Sequence, residues 1–250
     1  MSLKTLLCLI LPLAVSAKRD STYNTIMGGY YHLSLEVPNI NNSGMITQLR
    51  SLGYPAPEPP SVVPGMGFQW HFDHAIINFS YLSGSRREKT DTTFARQRYR
   101  SFEFNVGYDV LHTLKFSLYP YAGFKTCALN YKFHEKLADS TPVLGQYLGS
   151  NLDYKELSSS RIHFDLGVGF AFRSFYLVNL RAGYLLPLER TEWFIPASKT
   201  TITGGPGTKF GTYVSLVIGL GNISDDKTNR ARAEQRRRWR EEHPNETRLR

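Results

Sequence analysis

The sequence predicts an all-β chain: an eight-stranded antiparallel up-and-down transmembrane β-barrel with long outer loops and a charged C-terminal tail. Three observations predict it. Apolar residues recur with period two along most of the chain. The connections between the alternating segments are short and long in turn. An export-type leader comes first, and no later segment holds 18 consecutive apolar residues, so no transmembrane helix is expected.

The leader is residues 1–17, MSLKTLLCLILPLAVSA. Lys4 supplies the positive start, Leu6 to Val15 the apolar stretch, and Val15-Ser16-Ala17 the small residues of a cleavage site after Ala17. The stretch is too short to span a bilayer. Cys8 lies inside it, which leaves Cys127 as the lone thiol after cleavage, inert or lipid-facing. Residues 18–27 read as a lead-in.

The strands follow in order. Tyr31, Leu33, Leu35 and Val37 alternate with His32, Ser34 and Glu36. Met66, Phe68, Trp70 and Phe72 alternate with Gly67, Gln69 and His71. Ile77, Phe79 and Tyr81 enclose Asn78 and Ser80. Phe102 to Val110 alternate with Glu103, Asn105 and Asp109. Leu114, Phe116 and Leu118 alternate with Lys115, Ser117 and Tyr119, and this strand continues toward Leu129. Ile162 to Phe172 alternate with His163 and Asp165. Tyr176 to Leu186 alternate with Asn179 and Arg181. Val214 to Leu220 close the set. Tight connections are expected at Asp73-His74, Leu111-His112-Thr113 and Arg173-Ser174. Long ones are expected at about 38–64, 83–97, 132–160 and 189–210. The barrel is placed at 28–223, followed by a tail over 224–250 that is helical or disordered.

Period two does not say which face points inward; composition does. The polar face is Gly, Ser and Asn with isolated charges: Glu36, Glu103, Asp109, Lys115, Asp165 and Arg181. Small residues and sparse charges of both signs suit a narrow lumen filled by side chains. The large aromatic face suits lipid. A soluble ligand-carrying barrel would instead show Lys, Glu and Thr on its polar face.

On these features the chain resembles the outer-membrane protein β-barrel family, small eight-stranded barrels similar to OmpA and OmpX. The leader carries the resemblance, with Leu118-Tyr119-Pro120-Tyr121-Ala122-Gly123-Phe124 and the glycine-spaced strands Asp165 to Phe172 and Thr212 to Gly221, over roughly residues 28–222. The resemblance implies a porin-like, Gram-negative cell-envelope protein with both termini periplasmic. Many such barrels end on a C-terminal aromatic. This chain departs from that, because Gly221-Asn222-Ile223 runs into a polar tail.

Function is expected to be non-enzymatic: a structural or surface-interaction barrel. The alternatives are an accessory subunit of an envelope transport or secretion machine, a lipid A-modifying enzyme, and a narrow channel. The enzyme idea rests on His32, Ser34, His163 and Asp165, which fall among lumen residues rather than at a rim. The second loop carries Arg86, Arg87, Arg98 and Arg100, with Lys89 and Arg96 nearby. Arginine forks bind phosphate bidentately, so these four are candidate contacts to lipopolysaccharide. In the first loop, Ser43 is placed to cap a short helix bearing Met45, Leu49 and Leu52, stopped by Gly53 and Pro55. Loop 38–64 and tail 224–250 are the candidate contacts for a protein partner. No P-loop, dinucleotide fingerprint or metal-spaced His/Cys cluster occurs, so no cofactor and no metal are expected. An exported chain has no nucleic acid to meet.

The 250 residues carry a net charge of +9, and the charge is unevenly placed. The tail holds nine Lys/Arg against six Asp/Glu, and the second loop six against two. The chain therefore reads as a near-neutral barrel with two basic ends.

Overall fold

A computed structural model describes residues 25–90, 93–135, 155–189, 192–198, 200–202 and 205–225, with positions 231, 233–235, 237–239 and 241 of the tail. The leader 1–17, residues 18–24 and most of the expected loop 132–160 lie outside the described residues. Two units divide the chain. One is 26–224, and the other groups 1–25 with 225–250. In the second unit the described positions from 231 to 241 are helical, and Arg237 Nε lies 2.9 Å from Glu241 Oε1 at i,i+4 spacing.

The first unit is a closed barrel. Its wall strands are β1 (Ile26–Asn41), β2 (Val63–Phe72), β3 (Ala75–Lys89), β4 (Thr93–Tyr108), β5 (Phe116–Glu135), β6 (Lys155–Arg173), β7 (Tyr176–Pro187) and β10 (Lys209–Asp225). Two short strands, β8 (Trp193–Ile195) and β9 (Thr200–Ile202), form a hairpin that joins the sheet at Ser158↔Phe194. Each wall strand lies beside its neighbour, from β5 back to β1, then β10, β7 and β6, and the β5–β6 pairing closes the ring. Each of the eight wall strands is paired on both sides, and a closed ring is the condition for strands to cross lipid.

Alternation sorts the faces as the sequence predicts. Tyr31, Leu33, Met66, Trp70, Phe102, Phe170, Leu180 and Ile218 point outward and are exposed. Gln69, His71, Asn78, Glu103, Asn105, Asn179 and Ser215 point inward and are buried. Packing inside is close. A Cβ on Gly169 would overlap the Tyr119 ring carbon Cζ, so a larger residue there would displace the tyrosine.

At one end the connections are short. Asp73 and His112 take left-handed backbone conformations there, with φ of 56° and 44°. The Asp109 carboxylate accepts the backbone N–H groups of Leu111 and His112, both at 3.2 Å, and shapes the β4–β5 connection. The strand begins only at Phe116, so Lys115 sits exposed in this connection rather than in the lumen. Its parity is inward, but it stands before the strand begins.

The other end carries the long connections and differs from expectation at three points. The expected loop 83–97 is mostly strand. β3 runs on to Lys89 and β4 starts at Thr93, with Lys89↔Phe94 in register, so a two-stranded arm carries the arginines. Their charges hide the apolar alternation but do not stop the pairing. The helix α1 spans Ser43–Ser51, and its N-cap is Asn42 rather than Ser43. The Asn42 side chain donates instead to Tyr131 Oη at 2.6 Å. Leu52 ends the helix and is exposed, whereas Ile46 is buried in its place.

Nine residues do not hold a helix alone. Met45, Ile46 and Leu49 pack in one cluster with Leu82, Tyr99, Leu129, Tyr131, Trp193 and Phe210, the inward side chains at this end. Each of the three contributes about 1.5–3 kcal/mol by burial. Trp193 donates from Nε1 to Pro206 O at 2.8 Å and ties the last loop to the same plug. Cys127 is buried on the inner face, 3.5 Å from Tyr99 Oη, and so does not face lipid.

Candidate functional site

The lumen network decides whether the barrel is open. Lys125 Nζ contacts Glu36 Oε2 at 2.5 Å and Glu103 Oε2 at 3.3 Å. Arg181 Nη1 contacts Glu103 Oε1 at 2.5 Å. Asn78 and Asn105 donate to the same Glu103 oxygen at 3.1 and 2.7 Å. Asn105 also donates to Asp165 Oδ2, which accepts from Tyr213 as well. Toward the short-turn end, Arg173 pairs with Asp109 at 2.9 Å and contacts His71 Nδ1. Gln69 bonds His71, and Asn179 donates to Gln69 and Tyr119.

Glu36, Glu103, Asp165 and Arg181 thus meet in one lumen cluster, Asp109 lies in a second with Arg173, and Lys115 is in neither. Lys125 and Arg173 complete the charge pairing. Lys125 was legible by parity, since it falls on the inward side of the strand that continues past Pro120. With two charge clusters and the buried rings of Tyr30, Tyr119, Tyr121 and Tyr213, the interior is packed by side chains.

The residues behind the enzyme alternative, His32, Ser34, His163 and Asp165, are not brought together as a His/Ser/acid set. His32 Nε2 bonds Asn78 at 3.2 Å, Asp165 bonds Asn105 and Tyr213, and the His163 ring packs edge-on against Phe210.

The four arginines Arg86, Arg87, Arg98 and Arg100 do not share one face. Arg86 lies opposite Gln97 on the inward-facing side and reaches Glu58 of the first loop at 3.8 Å. Arg50 of α1 similarly reaches Glu88 at 3.9 Å. Arg87, Arg98 and Arg100 share the outward face with Arg96 and Lys132. Their pairings set them in rows above Tyr81↔Phe102: Ser83↔Arg100↔Ala128, then Ser85↔Arg98↔Asn130, then Arg87↔Arg96↔Lys132. Successive rows are about 7 Å apart.

Lys132 meets Glu156 at 3.2 Å, and Arg96 donates to Ser85 Oγ at 3.4 Å. Arg98 and Arg100 are exposed and make no ion pair with a described residue. Arg87 and Arg96 stand directly opposite each other, and like charges in that position destabilise a sheet unless an anion lies between them.

No family model matches the chain, and neither does any curated protein. Several solved structures do. Ail of Yersinia pestis, solved with the heparin analogue sucrose octasulfate, is 12% identical, with a TM-score of 0.46 over 78% of this chain and 98% of that one. A major outer membrane protein of Thermus thermophilus is 9% identical, with a TM-score of 0.44 over 78% and 99%. The outer membrane protease OmpT of Escherichia coli is 8% identical, with a TM-score of 0.31 over 81% and 95%. A closed eight-stranded ring with an apolar exterior, a charge-paired interior and alternating short and long connections makes the chain an integral outer-membrane β-barrel.

Proposed function

We propose that the protein is a non-enzymatic surface-interaction barrel whose arginine-bearing outer face binds the phosphates of lipopolysaccharide. The observation that carries this reading is the Arg87↔Arg96 pair, stacked over Arg98 and Arg100 just above the last apolar row. Four guanidinium groups on the outward face just above the last apolar row stand at the height of headgroup phosphates. Arginine forks take phosphate oxygens two at a time. Both chain ends of the barrel, at Ile26 and in the last turns of β10, lie at the short-turn end. In this reading that end is periplasmic and the arginine rows face the outer leaflet.

The test replaces Arg87, Arg96, Arg98 and Arg100 by Gln and measures lipopolysaccharide co-purified per barrel. A loss of about tenfold is expected. Retention equal to wild type in a normally folded variant removes the proposal.

A further inference from the structure

A second site lies on the opposite wall. The β7–β10 register runs from Tyr176↔Leu220 to Tyr184↔Thr212 and stops there, although β7 continues to Pro187 and β10 begins at Lys209. A crevice of about 750 Å³ occupies the place where the pairing stops. Its lining comes from both faces of the wall. Asn39, Tyr184 and Lys209 are outward and exposed, while Arg161 and Leu185 belong to the inward-facing set and are buried. It is therefore a notch through the rim of the barrel, level with the top of the lipid-facing rows at Ile162, Tyr184 and Val214.

The notch is two-sided chemically. Its lower part is apolar, from Tyr184, Leu185 and Phe210. Its upper part carries two cations. Arg161 is only 8% exposed, and its Nε is buried with no hydrogen-bond partner. Glu189 acts on it through charge alone, without a hydrogen bond. Arg161 lines the notch with no ion-pair partner among the described residues, so its guanidinium is placed to receive an anion there. Lys209, exposed at the mouth, adds a second positive charge. The volume falls in the range of small-molecule sites, about 300–1,000 Å³.

We infer that this notch binds a single-chain anionic amphiphile, its carboxylate or phosphate head on Arg161 and Lys209, its first carbons on Tyr184, Leu185 and Phe210. The rest of the chain lies along the outer wall among the membrane lipids. The site needs the barrel to sit in a bilayer but shares no residue with the arginine rows, so either proposal can fail alone.

The test uses the full chain in nanodiscs of phosphatidylcholine, with bound ligand counted by native mass spectrometry. The probes are oleate, oleoyl lysophosphatidic acid, monooleoylglycerol and inorganic phosphate. One oleate or one lysophosphatidic acid per barrel is expected, at least tenfold above monooleoylglycerol, and the preferred head separates a fatty-acid site from a lysophospholipid site. Binding of inorganic phosphate alone, or equal retention of charged and uncharged chains, overturns the proposal. Lys209→Gln should weaken binding.

Gly211→Leu should abolish it by filling the notch, because a Cβ there meets nothing nearer than 3.7 Å and the strand should tolerate it. Both variants keep Arg161 and its packing, so both should fold. Unchanged binding in both contradicts the assignment. The Arg87/Arg96/Arg98/Arg100 variant should bind oleate as wild type does.

Discussion

Lys125 Nζ stands 2.5 Å from Glu36 Oε2 and 3.3 Å from Glu103 Oε2, so one buried cation joins β5 to β1 and β4 across the lumen. Removing one member of such a set leaves the others charged and unpaired, at a cost of about 3–5 kcal/mol. Lys125→Met should therefore lower the stability measured by urea unfolding in lipid vesicles by that amount. Adding Glu36→Gln should restore part of the loss. A Lys125→Met stability equal to wild type would show that the pairing contributes nothing.

The same packing predicts electrical silence. Eight strands enclose a space that side chains can fill, and here Arg181, Arg173, Lys125 and four tyrosines fill it. In planar bilayers the barrel should show no stable nanosiemens-scale openings. Reproducible openings of that size would contradict a filled lumen.

The plug at the long-loop end is a separate layer of stability. Leu49 is buried against the mouth, and Leu49→Ala should cost about 2–5 kcal/mol locally. The barrel wall does not depend on α1, so heat-modifiable gel mobility should be unchanged. Limited proteolysis should cut faster within residues 51–62. Equal protection in the variant would mean that α1 is held by something other than its apolar face.

If the barrel is non-enzymatic, lipid A is unchanged by it. His32 is bonded to Asn78 inside the lumen, with neither Ser34 nor an acid as its partner. Lipid A mass spectra from a host expressing the wild type and one expressing His32→Ala should be identical. A lost or added acyl chain with the wild type alone would reverse the reading.

The faces of the strands are legible in the sequence because a lipid-facing row of Phe, Leu and Val runs beside a lumen row of Gly, Ser and Asn. Strand ends are not. At 83–97 the outward residues turn from apolar to basic, and a pattern defined by hydrophobicity ends there, although backbone pairing continues to Lys89 and Thr93. For the same reason Arg86 reads as a companion of Arg87, its neighbour in sequence but on the opposite face.

Lys115 fails for the converse reason: its parity is right, but it precedes the strand. Lys125 needs only the same parity carried through Pro120. The notch beside Arg161 has no sequence signal, since it arises where two strands of unequal length part.

The most direct measurement compares binding of phosphorylated and dephosphorylated lipid A to the wild-type barrel and to the Arg87/Arg96/Arg98/Arg100 Gln variant in nanodiscs. The account predicts at least about tenfold weaker binding of dephosphorylated lipid A to the wild type, and equal, weak binding of both forms to the variant. Equal binding of the two forms by the wild-type barrel would contradict it.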